Sequence, residues 1–247
     1  MPGRSWFKDW FDSHYYHLLY QHRDEGEALG FIDTLIGHLQ PLPGARMADI
    51  ACGKGRHAKA LADMGFDVTG IDLSASSIAK AKIYEDEHLH FYQHDMRLPF
   101  WINYFDYAFN FFTSFGYFRT RREHDNAIRT IAQSLKQQGI FVIDYLNVHY
   151  EEDRLQRSAV CDVDNVHFLI SKWQDEEHFF KQIQVTDQAN LTPKHLYTER
   201  VAKFSLGDFT DMLSYQGMQV QEVFGDYNLE HYDIRHSPRM IIVARKR

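Results

Sequence analysis

The chain has 247 residues, 44% apolar and 25% charged, with a formal net charge of −7. That composition excludes global disorder and collagen-like repeats and leaves enough apolar side chains for a sizeable core. The acidity argues against a general nucleic-acid binder, whose affinity comes from neutralising phosphates, and no apolar run reaches the roughly 18–20 residues of a membrane helix. The first 20 residues are charged and aromatic, without the apolar core of a signal peptide. Two cysteines, Cys52 and Cys161, make no disulfide framework, so a cytoplasmic, reducing setting is expected.

In chain order, residues 6–39 read as helical, with Phe31, Leu35 and Leu39 near a 3.6 period, and Pro41, Pro43 and Gly44 end the segment. Residues 1–40 thus form an N-terminal helical cap. Between 41 and 150, apolar runs alternate with amphipathic stretches. Strands are expected at 47–51, 67–71, 89–93, 105–111 and 140–146. Helices are expected at 56–64, at 75–87 behind the N-cap Ser74, and at 123–136. Alternation of this kind, with continuous apolar strands, predicts an α/β fold with a doubly wound, mostly parallel sheet. After Asn147 the pattern changes. Residues 166–173, 179–186 and 195–204 read as three antiparallel strands inside an insertion at 158–204. A helix at 206–215 is followed by strands at 218–224 and 239–244. Only a loop joins those two strands, so they must pair antiparallel. All of this fits one domain, its sheet completed by residues 205–247.

The chemistry concentrates between the first strand and the first helix, in Asp49-Ile50-Ala51-Cys52-Gly53-Lys54-Gly55-Arg56. Glycine lets the chain turn sharply and lets a ligand approach the main chain. Asp72 ends the second strand, where a carboxylate meets the ribose hydroxyls of an adenosine. Gly53-x-Gly55-x-x-Ala58 also satisfies the bare dinucleotide pattern, so an NAD(P)-dependent oxidoreductase is one reading, and a non-catalytic cofactor-binding module another. Three features favour a different cofactor. Asp49 precedes the glycines, where it would repel a pyrophosphate. Asp95, with Met96, follows the third strand, where a carboxylate can meet an adenine amino group. An antiparallel strand pair closes the sheet edge.

Together the stretches 47–74, 91–100, 105–118, 135–147 and 237–246 resemble the class I S-adenosylmethionine-dependent methyltransferases. The resemblance implies a seven-stranded, Rossmann-like sheet and S-adenosyl-L-methionine as cofactor. It implies that Asp49, Ala51, Gly53 and Gly55 hold the methionine moiety and that Asp72 takes the ribose. Leu73 would pack on the adenine, Asp95 and Met96 would close on the base, and Phe111 and Phe112 would line the site near the sulfonium. The chain departs from the family pattern at Ala51, which replaces the first loop glycine, at Lys54, where threonine is frequent, and at Gln137-Gln138, where Pro-Gly often precedes the fifth strand. The Lys54 chain is expected to point to solvent.

The mouth should open at the carboxyl ends of the strands. Tyr20 from the N-terminal helix is expected beside the cofactor, and Tyr16, Tyr117 and His149 are candidate contacts for a small-molecule acceptor. The 158–204 insertion serves either as a lid or as a dimer surface, in a monomer or homodimer that meets neither nucleic acid nor membrane. The histidine groups His14/His17 and His88/His90/His94 fall short of a zinc ligand set, so no metal is expected.

Overall fold

The computed structural model describes residues 10–20, 25–187 and 195–247. Among the described residues Trp10 and Phe11 are helical, and α1 (His14–Leu19) and α2 (Glu25–Leu39) follow. The single helix expected over 6–39 is therefore divided, and its residues 6–9 and 21–24 lie outside the described part. Ser13 caps α1 by accepting the Tyr16 N–H at 3.1 Å, which is why a fresh helix starts there.

The core alternates β1 (Arg46–Ile50), α3 (Arg56–Asp63), β2 (Asp67–Asp72), α4 (Ala75–Ala81), β3 (Leu89–Gln93), β4 (Phe105–Asn110), α5 (Arg121–Ser134) and β5 (Leu135–Leu146). Helix α4 stops short of the expected residue 87, and a 3-10 turn over Lys82–Tyr84 takes over. There Glu85 turns inward to accept the Phe91 N–H at 2.8 Å. Thr120 and Glu123 form a reciprocal capping box that starts α5 two residues earlier than periodicity alone suggests.

Beyond β5 come α6 (Val148–Asp153), β6 (Ser158–Val163), β7 (Val166–Gln174), β8 (His178–Asp187), β9 (His195–Ala202), α7 (Leu206–Tyr215), β10 (Met218–Phe224) and β11 (Arg239–Lys246). Seven strands form one sheet in the order β10-β11-β5-β4-β1-β2-β3. All pairs are parallel except those made by β11, which runs antiparallel to both β5 and β10. The expected doubly wound sheet with an antiparallel closing pair is present. The inserted sheet has four strands, β6-β7-β8-β9, and not the expected three. Its first strand is a polar edge strand, exposed at Ser158, Val160 and Asp162, and so lacks an apolar signature.

Two apolar layers sandwich the main sheet. Phe105, Phe141, Ile128 and Phe209 lie in one, and Phe31, Leu61, Phe91 and Val142 in the other. A third cluster joins Trp10 and Leu18 to Phe168, Ile183 and Val185 of the inserted sheet. The N-terminal segment is thereby clamped between the insertion and the main sheet. Among the described residues no helix is long and apolar enough to cross a membrane.

Candidate cofactor and acceptor site

The β1–α3 loop places three small residues at the carboxyl edge of the sheet. Ala51 (φ 62°), Gly53 (φ 56°) and Gly55 (φ 81°) all take left-handed backbone conformations. Glycine adopts these freely, whereas alanine gives up roughly 1–2 kcal/mol there. Ala51 stands where the family glycine is usual, and Ala51→Gly removes that strain. The two glycines differ in purpose. A Cβ on Gly55 would sit 2.5 Å from the Phe91 ring, so Gly55 is required by packing behind the loop. A Cβ on Gly53 meets nothing within 4 Å. Gly53 faces open space that a ligand can fill. Gly53→Ala is therefore expected to lower cofactor affinity about tenfold or more while costing stability only about 1 kcal/mol; equal losses in a titration and a melting curve would contradict this.

Asp72 closes that space. Its Oδ2 accepts the Gly53 N–H at 2.9 Å and its Oδ1 the Ser74 N–H at 2.8 Å. Burial raises its carboxyl above the ordinary 3.8, and the backbone N–H groups of Ser74, Gly53 and Leu73 oppose the rise. Each oxygen keeps a lone pair for a further donor. Asp95 is braced differently. Burial pushes it up, but Arg97 outweighs this with contacts of 2.6 to 3.2 Å to both oxygens and holds it below the usual range. Arg97 continues to Glu123 at 2.6 Å.

Three contiguous hollows connect these groups. One of about 70 Å³ is walled by Leu73, Asp95, Met96 and Phe118. One of about 120 Å³ is walled by Asp72, Gly53, Tyr16, Tyr117 and Glu199. One of about 170 Å³ is walled by Gly53, Lys54, His57, Phe111, Phe112 and Tyr20. Ala51 and Ser114 border all three. Asp72, Leu73, Asp95, Met96, Ala51, Gly53, Phe111, Phe112, Tyr16, Tyr20 and Tyr117 thus surround one shared space. Lys54 is exposed, as expected, yet borders the space with Arg56. A larger concavity of about 730 Å³ opens at the other end of the strands and contains none of these residues.

Three expected site residues lie elsewhere. Gly55 packs against Phe91, as above. His149 sits on α6 with its Nδ1 3.5 Å from Glu152 and borders none of the three hollows. Asp49 is buried behind the loop, where its Oδ2 accepts the Ala58 N–H at 3.1 Å. It braces the turn from within. Burial raises its carboxyl from 3.8 to about 7, against the pull of the Ala58 N–H. The folded chain therefore holds this proton to higher pH than the unfolded chain. The stabilisation is complete below pH 3.8 and is lost as pH rises through about 7. Asp49→Asn keeps the acceptor and removes the ionisation. Between pH 5 and pH 8 its stability should gain about 2–3 kcal/mol on the parent; parallel melting profiles would contradict this.

The chain after β4 carries the steepest local strain. Phe112 (φ 55°) and Thr113 (φ 56°) are both left-handed, which is rare for a β-branched residue. A fully buried Asp144 holds them there. Its Oδ2 accepts the Phe112 N–H at 2.8 Å and the Tyr227 hydroxyl at 3.1 Å, and its backbone carbonyl accepts the Thr113 N–H at 3.0 Å. Arg239 donates to Asp144 Oδ1 from Nε at 2.7 Å and to the Thr113 hydroxyl from Nη2 at 2.8 Å. His57 stacks on the Phe112 ring at 5.1 Å.

Residues 47–139 match the family model described as a methyltransferase domain. That stretch is a methyltransferase domain, and the fold around it is the one shared by S-adenosylmethionine-dependent methyltransferases. It is 24% identical over 198 residues to YqeM of Bacillus subtilis (strain 168), a provisionally named methyltransferase, with 74% of this chain and 76% of that protein covered. Its fold is similar to an S-adenosylmethionine-dependent methyltransferase from Clostridium acetobutylicum (TM-score 0.77, 15% identity, 94% and 96% of the two chains). It is also similar to CalS10, an amino pentose methyltransferase from Micromonospora echinaspora with the cofactor bound (TM-score 0.69, 19% identity, 95% and 98%). The cofactor is S-adenosylmethionine, which when bound supplies an electrophilic methyl group. The residues present fit it: two carboxylates at strand ends, apolar Leu73 and Met96 beside one of them, and an unobstructed Gly53.

Sequence reasoning missed Glu199 and Phe11 in these walls, whereas Thr113 and Ser114 belong to the segment after β4 that the sequence already directs to the mouth. Glu199 carried one readable signal. In β9 it shares a face with Tyr197 and Val201, and a carboxylate on a partly apolar strand face is out of place unless something binds it.

Proposed function

We propose that the chain transfers methyl groups to a small-molecule acceptor, with the inserted sheet as the roof of the site. In this reading Asp72 takes the ribose hydroxyls, Leu73 and Met96 flank the adenine, Asp95 takes the adenine amino group, and Gly53 lies under the methionine moiety. Phe112, Thr113, Ser114, Tyr16, Tyr20 and Tyr117 bound the acceptor. The observation that carries it is the single space shared by Asp72, Asp95 and Gly53, with Glu199 of the insertion on its wall. A wall of aromatic side chains aligns an acceptor behind the methyl group and limits the access of water. CalS10, of similar fold, acts on a small molecule. A net charge of −7 does not suit a nucleic-acid acceptor.

The test is transfer of labelled methyl from S-adenosylmethionine into a metabolite extract below about 1 kDa, compared with purified RNA, DNA and protein. Label in the small-molecule fraction, absent with Asp72→Ala, is expected. Label confined to macromolecules would overturn the reading.

A further inference from the structure

The least expected group on the wall is Glu199, from an inserted strand remote in sequence from the cofactor loop. Its side chain is nine-tenths buried yet borders the same hollow as Gly53, Asp72, Thr113 and Ser114. One of its oxygens is committed. Oε1 accepts the Trp10 indole N–H at 2.6 Å and the Tyr20 hydroxyl at 3.1 Å. Lys181 donates to the Tyr20 oxygen, which directs the Tyr20 proton toward Glu199. The other oxygen differs. Among the described residues Oε2 takes no hydrogen bond; Lys181 Nζ forms an ion pair with it at 3.9 Å, too long for a hydrogen bond. Tying the N-terminal segment to the inserted sheet needs only an acceptor, which a neutral glutamine supplies. A carboxyl oxygen in this wall that accepts no hydrogen bond suits an N–H-donating ligand.

We propose that Glu199 recognises an amine on the acceptor, so that the reaction is N-methylation of a small amine. This rests on the reading under Proposed function. The acceptor N–H donates to Oε2, which turns the nitrogen lone pair toward the methyl carbon. The N–C bond forms as the C–S bond breaks, the bonding electrons stay on sulfur, and the surplus proton on nitrogen passes to the Glu199 carboxylate. Trp10 and Tyr20 fix the carboxylate, so the N-terminal segment orders the acceptor site.

The test compares two cofactor analogues by calorimetry on the intact chain. S-adenosylhomocysteine is uncharged at sulfur, whereas sinefungin carries a protonated amine where the methylsulfonium would be. The wild type should prefer sinefungin about tenfold or more. Glu199→Gln keeps the acceptor for Trp10 and Tyr20. It should hold S-adenosylhomocysteine within about threefold of wild type and lose the preference. A preference left intact in Glu199→Gln, or equal weakening of both ligands, would reduce Glu199 to a structural tie and overturn the proposal. Failure of the wild type to bind either analogue would instead overturn the cofactor site, and the proposal with it. With a panel of primary amines and the matching alcohols as acceptors, labelled methyl should enter the amines alone; turnover confined to the alcohols would also overturn it.

Discussion

Alanine at Asp72 is expected to weaken S-adenosylhomocysteine binding by about a hundredfold or more. The carboxylate is the terminal residue of β2 and already holds the Gly53 and Ser74 N–H groups. Two ribose hydroxyls add two charge-assisted hydrogen bonds, each worth about 1.5–3 kcal/mol. Removing the side chain loses both and frees the Gly53 turn at once. Asn at the same place keeps one acceptor and should lose less. A titration of the two variants beside the wild type decides it, and a change below about threefold for alanine would mean that the ribose is held elsewhere.

The second large effect concerns stability. Asp144 is fully buried and Arg239 mostly so, and the two meet at 2.7 Å. Burial works against the Arg239 charge, and Asp144 beside it holds the guanidinium firmly protonated. Arg239→Leu leaves a carboxylate buried without its cation, a change that costs about 3–5 kcal/mol in such pairs. It also removes the donor on Thr113, so the strained Phe112–Thr113 turn loses one of its restraints. Chemical denaturation should therefore show a fall of about that size. Pairing Arg239→Leu with Asp144→Asn should recover part of it, since the stranded charge is gone. A fall below about 1 kcal/mol for the single variant, or additive losses in the double, would contradict this account of the turn.

Both effects show what was legible from residues alone. β3, α7 and β10 begin and end where periodicity and glycines place them, β3 and α7 because each has an apolar face and a clear stop, β10 because Gly217 sets its start. β6 was invisible: Ser-Ala-Val-Cys-Asp-Val shows no polar–apolar alternation, and as an edge strand it pairs on one side and buries little. α6 spans six residues, too few to establish a helical period. At the site, Asp72 and Asp95 were readable because a parallel sheet delivers its strand ends to one edge. Asp49 sits near the same edge, but it is the penultimate residue of β1, and its side chain turns inward under Ala58. His149 occupies the expected segment after β5, but α6 turns its ring toward Glu152. Glu199 and Arg239 reach the site from elements far along the chain. Trp10 and Glu199 are 189 positions apart, and no local pattern announces so distant a contact.

The central claim is that one adenosyl group occupies the space between Asp72, Asp95 and Gly53. A crystal structure of the chain grown with S-adenosylhomocysteine tests it most directly. The account predicts both ribose hydroxyls within hydrogen-bond distance of Asp72, the adenine between Leu73 and Met96, and the homocysteine chain across Gly53. Nucleoside density elsewhere, with Asp72 bonded only to Gly53 and Ser74, would contradict it.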